Sequence, residues 1–132
     1  MAAGLAHLLA LPHKMPLSRE EYLTVQQLYG GWALLGIAVV GALLSSAAWT
    51  VLVRGRRLPF ALTLAATLCI ALSLAVFFAV TFPANQVTRN WTVLPDHWEL
   101  LRRRWEYSHA IGAVLYVVAF VAQLLAVLQD RR

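Results

Sequence analysis

Three stretches of this chain carry no charged residue. No Asp, Glu, Lys or Arg lies between Glu21 and Arg54, between Arg57 and Arg89, or between Glu106 and Asp130. Each gap is longer than the ~20 residues a helix needs to cross a bilayer. A soluble bundle of three helices needs polar outer faces, and these segments have none. Composition agrees: 61% of the residues are hydrophobic and 13% charged, where a soluble domain has roughly 45–50% and ~25%. The chain therefore reads as an all-α transmembrane helical bundle, four-helix-bundle-like, in a single domain over residues 1–132 with the lipid bilayer as its surroundings.

The helix boundaries follow from caps and breakers. The run "MAAGLAHLLALPHKMP" predicts a short helix over about 2–12. It is too short to cross and lacks the basic start and cleavage site of a signal peptide. It can be read as an interfacial helix, a half-span or a truncated first span. "SREE" is a capping box, Ser18 with Glu21, and opens a helix expected over about 19–53. "RGRRLP" is a tight turn into a second long helix over about 59–82, with Pro59 in its first turn and Pro83 ending it. Ala61, Ala65, Cys69 and Ser73 make a small-residue stripe on that helix, suited to a close helical neighbour. "PANQVTRNWTVLP" reads as loop. Asp96 and Glu99 suggest a second capping box, and the last helix is expected over about 96–129.

The first and last long helices would each measure roughly 50 Å at 1.5 Å per residue, against a hydrocarbon core of ~30 Å. Their extra turns protrude on one side of the bundle, and the polar side chains gather there. The arginines split almost evenly between the two ends. The short arginine turn and the basic C-terminus (Arg131, Arg132) place the C-terminal end in the cytoplasm. The polar cap then faces outward. The net charge of +5 belongs to these span ends and gives no indication of nucleic acid. A chain this small needs a homo-oligomer to act as an alternating-access transporter. Lone Cys69 has no partner for a disulfide or a metal site.

The cap is where chemistry is expected. Trp98, Arg102, Trp105, His109, Gly112 and Tyr116 share one face of the last helix at spacings of three and four. Glu106 lies three positions before His109 and can orient it, making the imidazole a base or proton relay. Arg103, Arg104 and Trp91 read as an interfacial belt. Glu106-x-x-His109 has the spacing of one half of a di-metal site, but no second copy exists. His7 or His13 with His109 leaves open a mononuclear metal or a haem. No phosphate loop, dinucleotide fingerprint or nucleophile elbow is present.

Two blocks, "LAHLLALPHKMPLSREEYLTVQQLYGGWALLG" (5–36) and "FPANQVTRNWTVLPDHWELLRRRWEYSHA" (82–110), carry a resemblance covering most of the chain. They resemble a family of small bacterial membrane proteins that carries a domain of unknown function and is grouped with the fungal anthrone oxygenases. Members have four transmembrane helices, with the counterpart of His7 near the end of a complete first helix. Here that helix is short. The resemblance implies oxidation of an activated aromatic carbon by O₂ with no metal and no cofactor. A base deprotonates an acidic C–H, and the carbanion meets O₂. It points to His109 and Glu106 for the base, and to Asn85 and Gln26 for holding the developing oxyanion. Tyr29, Trp98 and Trp105 would wall the pocket, with Arg102 beside them. The expected ligand is a hydrophobic aromatic or quinone-like molecule. The alternative is a non-enzymatic membrane ligand-binding protein or a subunit of a larger assembly.

Overall fold

The computed structural model describes residues 2–130, so Arg131 and Arg132 of the orientation argument lie outside the described residues. The described chain is an all-α helical bundle. Three of its helical segments, Trp32–Leu52, Arg57–Val87 and Trp98–Gln129, are long and apolar enough to cross a membrane.

Helix α1 (Ala2–Lys14) has 13 residues, roughly 20 Å at 1.5 Å per residue. It packs along the last helix. A Cβ on Gly4 would stand 3.2 Å from the Ala113 Cα, so the two backbones approach as closely as glycine permits. Helix α2 (Arg19–Gln26) begins at the expected capping box. The Ser18 N–H donates to Glu21 Oε2 at 2.8 Å, and the Glu21 N–H to Ser18 Oγ at 3.4 Å.

The single helix expected over 19–53 is broken. After α2 come two short 3₁₀ turns, Gln27–Tyr29 and Trp32–Leu34, and only then helix α3 (Leu35–Leu52). The break sits at Gly30–Gly31, where Gly31 takes φ +82. Left-handed backbone costs other residues roughly 1–2 kcal/mol, so a glycine pair is where a helix gives way most cheaply. The break lets α2 and α3 point differently and leaves Tyr29 and Trp32 on either side of the bend.

Helix α4 (Arg57–Val76) lies between α3 and the last helix. Its inward face is Thr63, Ala66, Ile70 and Ser73, while Ala61 and Ala65 of the expected stripe face outward. Pro83 does not stop the helix, contrary to expectation. A π-turn over Phe77–Thr81 widens the backbone, with the Phe82 N–H bonded to the Phe77 carbonyl. Helical structure then continues as α5 (Phe82–Val87). A proline ring clashes with the carbonyl four residues earlier in an α-helix, and one wide turn relieves that clash. The first five residues of the expected loop, 83–87, are thus helix, which sets Thr81 and Asn85 against α6.

The remainder of the loop holds three consecutive residues in left-handed backbone: Arg89, Asn90 and Trp91, at φ 47, 56 and 63. The strain is offset by burial of Trp91, 2% exposed, and by hydrogen bonds. The Asn90 N–H donates to the Asn85 carbonyl at 2.7 Å, and the Trp91 N–H to Thr88 Oγ1 at 3.1 Å. Trp91 is therefore a core residue and not part of an interfacial belt.

Helix α6 (Trp98–Asp130) is the longest element, at 33 residues. It opens on a turn whose Pro95 and His97 carbonyls accept from the Trp98 and Leu100 N–H groups, in place of the expected Asp96 cap. A cluster of Tyr22, Trp91, Trp98 and Trp105 with Leu101 fills one end of the bundle, and three alanines, Ala66, Ala119 and Ala122, with Ile70 fill the middle. Hydroxyls and one amide join the spans. Gln123 Nε2 donates to Ser46 Oγ at 2.9 Å, and Ser46 pairs with Thr67 at 2.7 Å. With lipid outside, such bonds and close packing hold helices together.

The break predicts opposite signs for two glycines. Gly31→Ala should lower the thermal unfolding midpoint in detergent, reflecting a loss of about 1–2 kcal/mol. Gly36→Ala, helical and with open space around its Cβ, should leave the midpoint unchanged or raise it.

Candidate functional site

The cap is organised around a buried ion pair. Lys14 Nζ lies 2.7 Å from Glu106 Oε2, with side chains 4% and 0% exposed. Lys14 ends α1 with its ammonium inside the protein. An isolated buried charge is very costly, so each group requires the other. Glu106 Oε1 accepts from the Tyr22 hydroxyl at 2.9 Å. Burial first, and then the Glu106 carboxylate, hold that phenol far above its ordinary range, so Tyr22 stays protonated and donates.

Gln26 is placed by the same logic. The Tyr22 proton goes to Glu106, so Gln26 Nε2 must be the donor in its 2.5 Å contact with the Tyr22 oxygen. That leaves Gln26 Oε1 buried without a partner. The free atom is an acceptor, which suits a hydroxyl or N–H of a ligand and not an oxyanion.

Glu106 does not orient His109. Its two oxygens go to Lys14 and Tyr22, while the partner of His109 Nδ1 is the Trp105 carbonyl at 2.8 Å. A carbonyl only accepts, so Nδ1 carries the proton. In the neutral ring Nε2 is then the basic nitrogen. The Trp105 carbonyl also accepts from Ser108 Oγ, which pairs with Thr81 Oγ1 at the end of the π-turn at 2.6 Å.

Asn85 Oδ1 accepts from two indoles, Trp105 Nε1 at 2.8 Å and Trp91 Nε1 at 3.2 Å. Two N–H donors identify this atom as the oxygen. The asparagine pins two tryptophans with its carbonyl and keeps its amide N–H groups as donors. Trp105 thus touches both Asn85, through its ring, and His109, through its backbone.

His7 completes the group. Its ring centroid lies 4.4 Å from that of His109, 4.5 Å from Tyr29, 4.9 Å from Trp105 and 5.6 Å from Trp32. Lys14 Nζ stands 3.4 Å from its Nδ1, so Nδ1 accepts. Burial foremost, then His109 and the Lys14 ammonium, push its pKa down to about 3, and His7 is neutral at physiological pH. The result is a box of two imidazoles, two indoles and a phenol. Beneath it lies the Lys14–Glu106–Tyr22–Gln26 chain.

The other expected residues lie beside this box. Trp98 and Tyr22 stack with the Arg102 guanidinium, at 4.6 and 5.5 Å, and Arg102 Nη1 donates to the Leu17 carbonyl at 2.8 Å. Arg102 therefore fastens the α1–α2 connection to α6. His13 has no place in the box, and no cluster of three or more metal-ligating side chains occurs among the described residues. Lys14, Tyr22 and Trp32 are the members that sequence reasoning passed over. Tyr22 carried a signal, since it lies on the same helical face as Gln26, four residues on.

Two cavities, of about 340 and 350 Å³, run along the other side of α6 and border neither His109 nor Asn85. The His7 ring itself occupies the centre of the aromatic box. Comparison with protein-family models, curated proteins and solved structures yields no match.

Removing one partner of a buried ion pair costs roughly 3–5 kcal/mol. Lys14→Met or Glu106→Gln alone should therefore depress the unfolding midpoint more than the Lys14→Met, Glu106→Gln double variant. A double variant as unstable as the sum of the singles contradicts the coupling. For pH, the folded His7 binds its proton near 3 and the unfolded one near 6.5. Its contribution to stability is complete above 6.5 and falls away as the pH drops toward 3. Unfolding midpoints measured from pH 7.5 to 4 should fall less steeply in His7→Phe than in the parent.

Proposed function

We propose that the cap binds a hydrophobic aromatic or quinone-like molecule and exchanges a proton with it, as a cofactor-free oxygenase-like enzyme of the bacterial inner membrane. In this reading the C-terminal end of α6 faces the cytoplasm and the cap faces outward. The observation that carries it is the His109 imidazole. Its tautomer is set by the Trp105 carbonyl, and its ring stands against the Trp105 indole and a second, neutral histidine, His7, which in turn packs on Tyr29 and Trp32.

The chemistry suits such a box. A flat, apolar substrate stacks on Trp105, Tyr29 and Trp32. His109 Nε2 removes a proton from an acidic C–H or O–H, as general base. The Asn85 amide donates to the oxygen on which charge builds, and Gln26 Oε1 accepts from a substrate hydroxyl. For an anthrone the balance is C₁₄H₁₀O + O₂ → C₁₄H₈O₂ + H₂O. The base takes a C–H proton, the carbanion gives its electrons to O₂, and the resulting hydroperoxide loses water. Entry requires the His7 ring to yield its place. Tyr29 and Trp32 flank the Gly30–Gly31 bend, so a change of backbone angle at the two glycines would move that part of the wall.

A second reading is a binding protein or assembly subunit without turnover. It is favoured by the observation that the box is filled by the chain's own histidine and that the two cavities lie elsewhere.

Oxygen uptake with anthrone separates the two. The purified protein should accelerate uptake above the spontaneous rate, and His109→Gln should reduce the accelerated part by about 10²–10⁴-fold while the unfolding midpoint changes little. Uptake at the spontaneous rate, together with quinone-induced quenching of tryptophan fluorescence, would favour the binder. Absence of both removes the site from consideration.

A further inference from the structure

The "RRR" run divides into two functions. Arg102 points inward to the Leu17 carbonyl and the Trp98 ring. Arg103 and Arg104 face the opposite way and are exposed. Among the described residues neither makes a hydrogen bond or an ion pair, not even Arg103 with Glu99 one turn before it.

Arg104 borders both cavities on the outer side of α6, and Arg103 borders one of them. The larger part of each wall is apolar. One runs past Ala79, Pro83, Val87 and Leu100, with Arg104 at its edge. The other runs past Val76, Ile111 and Tyr107, with Arg103 and Arg104. Val80 and Arg104 belong to both, so the two form one groove between α4–α5 and the first half of α6. No acidic side chain lines it.

Depth gives the groove its meaning. Arg103 and Arg104 lie in the first two turns of the span Trp98–Gln129, at headgroup level, while Ile111 and Val76 lie further in. A free anion would use the arginines and leave the apolar channel empty. A neutral lipid would use the channel and leave two unpaired guanidinium groups beside it. We propose that this groove binds one acidic glycerophospholipid, its phosphate between Arg103 and Arg104 and an acyl chain along Val76, Val80 and Ile111. Guanidinium forks match phosphate oxygens in pairs, and Tyr107 stands beside them with its hydroxyl end at the interface. The π-turn supplies the channel, because it carries α4 past Pro83 along α6 instead of ending it there.

The test is native mass spectrometry of the full chain released from detergent with phosphatidylglycerol or phosphatidylcholine of identical acyl chains. One lipid should be retained, with preference for phosphatidylglycerol. Each arginine removed, in Arg103→Gln and Arg104→Gln, should weaken that preference roughly fivefold. Arg103→Lys with Arg104→Lys, which keeps the charge and loses the fork, should weaken it less than the double glutamine variant does. Val80→Trp, which fills the shared part of the groove, should reduce retention of both lipids. Inorganic phosphate in large excess should displace neither. Equal retention of the two lipids by the parent protein overturns the proposal. So does an unaltered preference in the double glutamine variant, or displacement by inorganic phosphate.

Discussion

The Lys14–Glu106 pair is the contact on which the cap depends. Each partner is expelled from water, so neither tolerates the other's absence. The pair joins α1 to α6, and Tyr22 adds α2 to the same carboxylate. The 13-residue α1 is thereby held against the 33-residue α6. His7, two turns before Lys14 on the same face of α1, is held against that anchor, its Nδ1 3.4 Å from the Lys14 ammonium.

Around this anchor, backbone irregularities do the positioning. The Gly30–Gly31 bend presents Tyr29 and Trp32 to His7. The π-turn carries the chain past Pro83 so that Thr81 supports Ser108 and Asn85 meets two indoles. The left-handed run at 89–91 turns Trp91 into the core. Departures of this kind cost energy, and surrounding packing must over-determine them. Here they converge on one end of the bundle, while the membrane-level half is regular helix joined by hydroxyls and small residues. That concentration of irregular backbone sets the cap apart as the specialised region.

The two faces of α6 divide the molecule's polar groups. The inward face holds Arg102, Glu106 and His109, each with a protein partner. The outward face holds Arg103 and Arg104, which have none among the described residues. A single helix thus carries an internal network on one side and two guanidinium groups without a protein partner among the described residues on the other. Its length, beyond what the hydrocarbon core requires, provides the turns on which both can be displayed.

Much of the fold was legible in the sequence. Long uncharged runs admit only helices in lipid, since no water is present to satisfy the backbone. Capping-box chemistry located the start of α2, and the 3.6-residue period placed Trp98, Arg102, Trp105 and His109 on one face. What the tertiary structure alone decided was pairing. Local spacing puts Glu106 within reach of His109, yet a buried carboxylate goes to the strongest available donors, and those, Lys14 and Tyr22, come from helices distant in sequence. Proline and glycine rules are likewise local. They mark Pro83 and Gly30–Gly31 as weak points but leave open whether the chain ends, bends or widens there. That choice is settled by the neighbour each segment must pack against, because burial of Trp91, Trp105 and His7 repays a distorted turn and isolated segments have nothing to bury.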